Sequence, residues 1–374
     1  MDKIWPKLKS GRVFIIAEAG KNFIQTEEDK TVDEYLANAK HLVDEAENAG
    51  IDAIKFQTHV PEDEQLNVDT PLPHFNIKNR YPWIVRVNRA TPINEFWKPL
   101  KAYCEEKGII FFSTPMSRAA AEILGKLDTP LWKIGSGDVL DFVMLDYIRN
   151  TGKPIILSSG MSTLDEVETS FKFLKEKNDR VALVHCVSKY PCPSEDLNLE
   201  MLNFYKEKFS TDDSVPIGFS DHSLGIESAL VAVAMGATIL EKHFSMDRGL
   251  WGPDHKVSMT PHEFAELVHE VRALEKDPEK QARLLESDFA KKALGKKEKV
   301  IQEGEADFRP IFRKSLMAGS DIPKGAVISA DMIYAMRPQS LAGGLASEHY
   351  PDVLGKRTKK ELKKFEPITS DIIE

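Results

Sequence analysis

Residues 12–55 read RVFIIAEAGKNFIQTEEDKTVDEYLANAKHLVDEAENAGIDAIK, and this stretch decides the fold. RVFIIA is a continuous apolar run that stops at Glu18, and IDAI is a second that stops at Lys55. Such runs suit strands buried on both faces, as in a parallel sheet covered by helices. Between them, VDEYLANAKHLVDEAENAG carries helical periodicity. The repeating unit is therefore strand, helix, strand, with a polar side chain where each strand ends.

The cadence continues outward. GIIFFS stops at Thr114, PLW at Lys133, PIIL at Ser158, VALV at His185, PIGF at Ser220 and ATIL at Glu241. Eight units predict an α/β chain folded as a (β/α)8 TIM barrel, with function at the C-terminal ends of the strands. Two long βα loops interrupt the rhythm on that face, one from His59 to about Asn94 and one from Phe244 to Pro261. DPEKQARLLESDFAKKALGKKEKVI is charged and helical in pattern and reads as a connector. Beyond Asp307, short β-like runs, a PKG turn and an Arg-Pro pair predict a compact β-rich module without a helix of any length. The expected division is a barrel domain over 1–285, a linker over 286–308 and the module over 309–374.

The chain has 374 residues, enough for a barrel of about 250 residues and a small appended domain. A net charge of −9 argues against non-specific nucleic-acid binding, which needs a basic face. It leaves an anionic small substrate open, since a site answers to its local lysines. Cys104, Cys186 and Cys192 are too few and scattered for a disulfide framework, and Cys186 reads as a buried free thiol. The apolar stretch near the N-terminus is too short for a signal segment or a membrane span, so the expected location is the cytoplasm.

Residues two apart on a strand face the same way. Lys55 pairs with Gln57 in this sense, Ser220 with His222, and Glu241 with His243. Two imidazoles at neighbouring strand ends, with Glu241 or Asp254, make an open nitrogen-and-oxygen metal site, to be weighed against hydrogen-bonded core histidines. Lys55 and Lys133 are hard to bury without an anion to meet. With Thr114, Ser136, Ser158 and Ser220 around them, they suit a phosphate or carboxylate. The competing reading of those lysines is Schiff-base chemistry. Glu18 is a candidate general base or sugar-hydroxyl acceptor, or simply a partner for Lys55.

IIAEAGKN, KFQTHVPEDE, FFSTPMSRAA, KIGSGD, ILSSGM, HCVSKYPCP, GFSDHSLG and ILEKHFSMDRGLWGPDH resemble, in order, the strand-end motifs of sialic acid synthases. The tail resembles the antifreeze-like (SAF) domain of that family. The resemblance implies condensation of phosphoenolpyruvate with open-chain N-acetylmannosamine or a related 2-acetamido sugar. It implies His222 and His243 as ligands of Mn²⁺ or Mg²⁺, and Lys55, Thr114, Lys133, Ser136, Ser158 and Ser220 as the phosphoenolpyruvate clamp. Sugar contacts fall on Glu18, Gln57, Tyr190 and Asp254. The resemblance further implies a homodimer in which Arg337 reaches the partner's sugar, in keeping with a module that looks badly placed to cap its own barrel.

The chain departs from familiar members at Asn22-Phe23, at Ser188 in place of an Asn, and in long segments after Gly20 and after strand 2. All lie on the sugar side, so a diacetamido sugar leading to a legionaminic-type acid stays open as acceptor. A non-catalytic ice- or carbohydrate-binding role for the tail is disfavoured by its charge, as in KRTKKELKK.

Overall fold

The computed structural model describes residues 4–70, 77–210 and 214–374. Part of the loop quoted after strand 2, PLPHFN, lies outside the described residues. The eight apolar runs form β1 (Phe14–Gly20), β2 (Ala53–Thr58), β3 (Ile110–Pro115), β4 (Trp132–Ile134), β5 (Ile155–Ser158), β6 (Val181–Cys186), β7 (Ile217–Asp221) and β8 (Ile239–His243). All pair in parallel in the order β3-β2-β1-β8-β7-β6-β5-β4. β3 and β4 approach each other at the seam, so the ring is a nearly closed barrel.

Alternation sorts each strand into two faces. Phe14, Ile16, Ala53, Phe112, Leu131, Ile156, Ala182, Val184 and Ile239 fill the barrel interior, and Ile4 and Leu8 of a short N-terminal helix join the same cluster. Moving two residues on from this layer reaches Glu18, Lys55, Thr114, Lys133, Ser158, Cys186 and Glu241. The period-two step thus carries the chain from an apolar plug to a polar mouth. His185 is out of phase. Its Nε2 meets the Leu197 carbonyl at 2.7 Å, its ring stacks on Phe219, and burial lowers its pKa to about 3. The strand-end position assigned to His185 therefore belongs to Cys186.

The helices start where their sequences allow. Thr31 and Thr163 form capping boxes with Glu34 and Glu166, which satisfy amides left over in the first turn. The first of these helices, Val32–Asn48, buries Tyr35, Ala39, Leu42, Val43 and Ala46 at the three-to-four spacing of one face. Among the described residues no helix is long and apolar enough to cross a membrane.

The C-terminal module contains a two-stranded antiparallel sheet, β9 (Ser315–Ala318) and β10 (Ile333–Met336), completed by isolated bridges. A helix over Glu305–Phe312 leads into it. Residues 286–308, expected as a linker, pack against the barrel. The helix Asp288–Leu294 lies along the barrel, where the Ala293 and Leu294 carbonyls accept from Leu199 and Glu200 amides at 2.9 Å. The chain then turns across the barrel mouth. Lys314 Nζ reaches Asp138 at 2.9 Å and Asp141 at 2.7 Å, and Arg313 donates to the Met161 carbonyl at 2.7 Å. In this single chain a packed connector brings the module against the barrel mouth.

Candidate active site

A cavity open to solvent occupies that mouth, with about 1010 Å³ of empty space when the solvent at its entrance is counted. Its wall includes fifteen residues singled out from the sequence: Glu18, Lys55, Gln57, Thr114, Lys133, Ser136, Ser158, Ser188, Tyr190, Ser220, His222, Glu241, His243 and Asp254 from the barrel side, and Arg337 from the cap.

Across the floor runs an array of alternating charge. Lys55 is paired with Glu18 and sits 3.0 Å from Thr114 Oγ1 and 3.7 Å from Glu241 Oε1. The same Glu241 oxygen accepts from Lys133 at 3.2 Å and Ser220 at 3.1 Å. Burial alone would discharge these groups. Burial raises the Glu241 pKa, yet Lys133 and Lys55 outweigh it and hold the carboxyl at about 2. For Lys55, burial works downward and Glu18 with Glu241 prevails upward. Glu18 goes the other way: burial, reinforced by Glu241, exceeds the pull of Lys55 and leaves its pKa raised. Lys55 is therefore a firmly held ammonium, suited to an anion and ill suited to Schiff-base attack, which needs the free amine. Glu18 is the carboxylate of the pair placed to exchange a proton.

A second cluster forms where β4, β5 and β6 end. The Ser158 and Ser188 hydroxyls are buried without a protein partner, and Ser136 Oγ lies 3.4 Å from Cys186 Sγ. Gly160 leaves the space between them: a Cβ there would stand 2.6 Å from Ser136 Oγ and 3.1 Å from Cys186 Sγ, and closer still to Ser188 Oγ. Glu305, from the helix of the cap, accepts the Met161 and Ser188 amides on one oxygen at 2.9 and 2.8 Å. That contact fixes the two loops bearing the hydroxyls.

His222 and His243 stand side by side with ring centroids 5.4 Å apart. His222 Nδ1 donates to the Val187 carbonyl at 2.8 Å, and although burial lowers the pKa of this ring, Cys186 and that hydrogen bond prevail and leave it raised. Burial lowers the His243 pKa to about 3, so that ring is neutral. Among the described residues no group of three or more His, Cys, Asp or Glu is placed to hold a metal ion. The two imidazoles set two nitrogen donors side by side, a donor set that suits a divalent ion in an open site.

On the far side Gln57 Nε2 donates to Glu18 Oε1 at 2.7 Å, while Lys21 holds Gln57 Oε1 and pairs with Asp254 at 3.1 Å. Arg337 is ion-paired with Asp138 and faces Phe312. Sequence reasoning missed Lys21, His59, Arg80, Trp83, Phe308 and Phe312, all of which line the cavity. His59 was legible, as the next same-face residue after Lys55 and Gln57. Arg80 and Trp83 come from the helix Arg80–Ala90 of the long loop, which no strand period predicts.

Fold and site together define a (β/α)8 barrel with a charged, ligand-sized chamber at the C-terminal ends of its strands. Residues 42–282 match the NeuB family model, and residues 313–374 match the SAF domain model. The chain is 32% identical over 363 residues to N,N'-diacetyllegionaminic acid synthase of Campylobacter jejuni, covering 96% of this chain and 99% of that one. It is 30% identical over 365 residues to human N-acetylneuraminate-9-phosphate synthase, covering 96% and 92%. The crystal structure of spore coat polysaccharide biosynthesis protein SpsE from Bacillus subtilis superposes with a TM-score of 0.75 at 30% identity, covering 97% and 95%. The chain belongs to the NeuB family of sialic and related nonulosonic acid synthases.

Proposed function

We propose that this chain condenses phosphoenolpyruvate with open-chain N-acetylmannosamine to give N-acetylneuraminate and phosphate. The observation that carries this reading is the Glu18–Lys55–Glu241–Lys133 array beside paired histidines and unpartnered serine hydroxyls. Lys55 and Lys133 hold the anionic ends of phosphoenolpyruvate, and Ser136, Ser158 and Ser220, with Thr114, donate to its oxygens. Bound between His222 and His243, Mn²⁺ or Mg²⁺ would supply Lewis-acid polarisation of the sugar aldehyde. C3 of phosphoenolpyruvate forms the new bond to the aldehyde carbon, whose oxygen takes a proton. Water adds at C2, and phosphate leaves with its bridging oxygen. Glu18, with its raised pKa and its link through Gln57 to the sugar side, is placed to move the proton. Tyr190, Asp254 and Arg337 complete the sugar side.

The second reading keeps the reaction and changes the sugar, to a 2,4-diacetamido-trideoxy hexose. It is favoured by the near full-length match to a legionaminic acid synthase and by Ser188, which leaves more room than a longer amide. Phosphate release from phosphoenolpyruvate, measured against a panel of 2-acetamido sugars, decides between them. A cytoplasmic homodimer is part of the same proposal. In that homodimer the cap of one chain, with its Arg337, closes the barrel of its partner. Mixing Arg337→Ala with His222→Ala chains, with subunit exchange confirmed, tests this: restored activity supports capping in trans, and no restoration overturns it.

A further inference from the structure

His59, one step beyond Gln57 on the same face of the chain, is nearly inaccessible, and its ring borders the cavity on the side of Lys21, Gln57, Arg80 and Trp83. Its Nδ1 lies 2.8 Å from Glu64 Oε2. The other Glu64 oxygen accepts from Arg80 at 2.8 Å, and Arg80 gives a further hydrogen bond to Gln65. Burial raises the Glu64 pKa, but His59 and Arg80 together prevail and keep it ionised. A carboxylate can only accept, so Nδ1 carries the ring proton. Burial keeps the imidazole neutral. Nε2 is then a bare lone pair, and it is buried with no partner. An orphaned acceptor of this kind costs free energy until a donor arrives.

We propose that His59 Nε2 accepts a hydrogen bond from a hydroxyl or amide N–H of the acceptor sugar, with Glu64 and Arg80 as positioning residues that fix its tautomer. The assignment rests on the reading of this cavity as a synthase site and deepens it by naming an acceptor-recognition residue. The helix of the long loop after β2 gains a purpose by the same argument. It carries Arg80, which holds Glu64, which in turn holds the ring.

Two variants test the assignment in the full-length, metal-loaded protein, with phosphoenolpyruvate and the most active sugar of the panel. His59→Phe keeps a ring of similar shape and removes the acceptor nitrogen. Glu64→Gln keeps the ring and inverts its proton: Arg80 can only donate, so the new amide oxygen faces Arg80 and its NH₂ faces Nδ1. Nδ1 must then accept, and Nε2 becomes a donor. Both variants are expected to raise KM for the sugar ten-fold or more while KM for phosphoenolpyruvate stays within two-fold. The ¹⁵N shift of His59 Nε2 is expected to move from the unprotonated to the protonated range in Glu64→Gln, which checks that the tautomer is inverted, while the rise confined to the sugar KM is what a merely structural role would not produce. Sugar KM unchanged in both variants, or both KM values rising together, overturns the assignment. The wild-type protein turning over the same substrates keeps that failure apart from failure of the synthase reading.

Discussion

Replacing Lys133 by Met perturbs the centre of the proposed phosphoenolpyruvate site and little else. Its ammonium lies 3.2 Å from Glu241 Oε1, and the side chain is 4% exposed. Lys55 at 3.7 Å and Ser220 at 3.1 Å remain on the same oxygen, so Glu241 is not left bare. Losing one of two cationic contacts to an anionic substrate removes about 1.5–3 kcal/mol, the worth of a hydrogen bond to a charged group. At about 1.4 kcal/mol per decade, that is roughly ten- to a hundred-fold in KM for phosphoenolpyruvate. Sugar KM should move far less. The assay is initial-rate phosphate release over a matrix of both substrates, with thermal unfolding alongside. Because Glu241 would keep only one lysine, its pKa should also climb from about 2 toward the ordinary carboxylate range. An unchanged phosphoenolpyruvate KM and kcat in both Lys133→Met and Lys55→Met would refute the argument and make the lysines structural.

Gly160→Ala should raise phosphoenolpyruvate KM by an order of magnitude or more at nearly unchanged Tm, because its methyl group intrudes among Ser136, Ser188 and Cys186; normal saturation in that variant would place the phosphate elsewhere. His222→Ala and His243→Ala should each lose activity chiefly in kcat, and isothermal titration should show loss of Mn²⁺ binding; full turnover in chelator-treated wild type would contradict both. Asp63 gives a test by pH. Burial raises its carboxyl from the usual range to about 6, so the folded state holds the proton more tightly than the unfolded chain. The associated stability is fully present below about pH 4 and is lost as pH rises through 6, a swing of about 3 kcal/mol for two units. Asp63→Asn, which cannot titrate, should therefore gain on wild type in urea melts between pH 4 and 6.5. A constant difference across that window would show that the shift is absent.

The barrel was legible because eight apolar runs stop at polar residues with helical spacers between them, and every run became a strand. Period two then set which side chains share the mouth, and it would have found Cys186 over His185 had the phase been counted from Ala182 and Val184. The cap was harder. Its charge pattern reads as a connector, and only packing brings Glu305, Phe308 and Phe312 to the barrel mouth. Arg80 and Trp83 reach the cavity from a helix inserted after β2, whose placement depends on the Glu64–Arg80 pair and on the contact of Trp83 with Trp251. No local pattern encodes such distant pairings.

The central claim is that the charged chamber joins phosphoenolpyruvate to a 2-acetamido sugar with cleavage of the C–O bond. Phosphoenolpyruvate carrying ¹⁸O in its bridging position tests it in one mass-spectrometric measurement with Mn²⁺ and N-acetylmannosamine or its diacetamido counterpart. The account predicts a nine-carbon 2-keto acid and an equal amount of phosphate that has kept the ¹⁸O. Label appearing in pyruvate or in the sugar acid, or no carbon–carbon bond with any sugar of the panel, would contradict it.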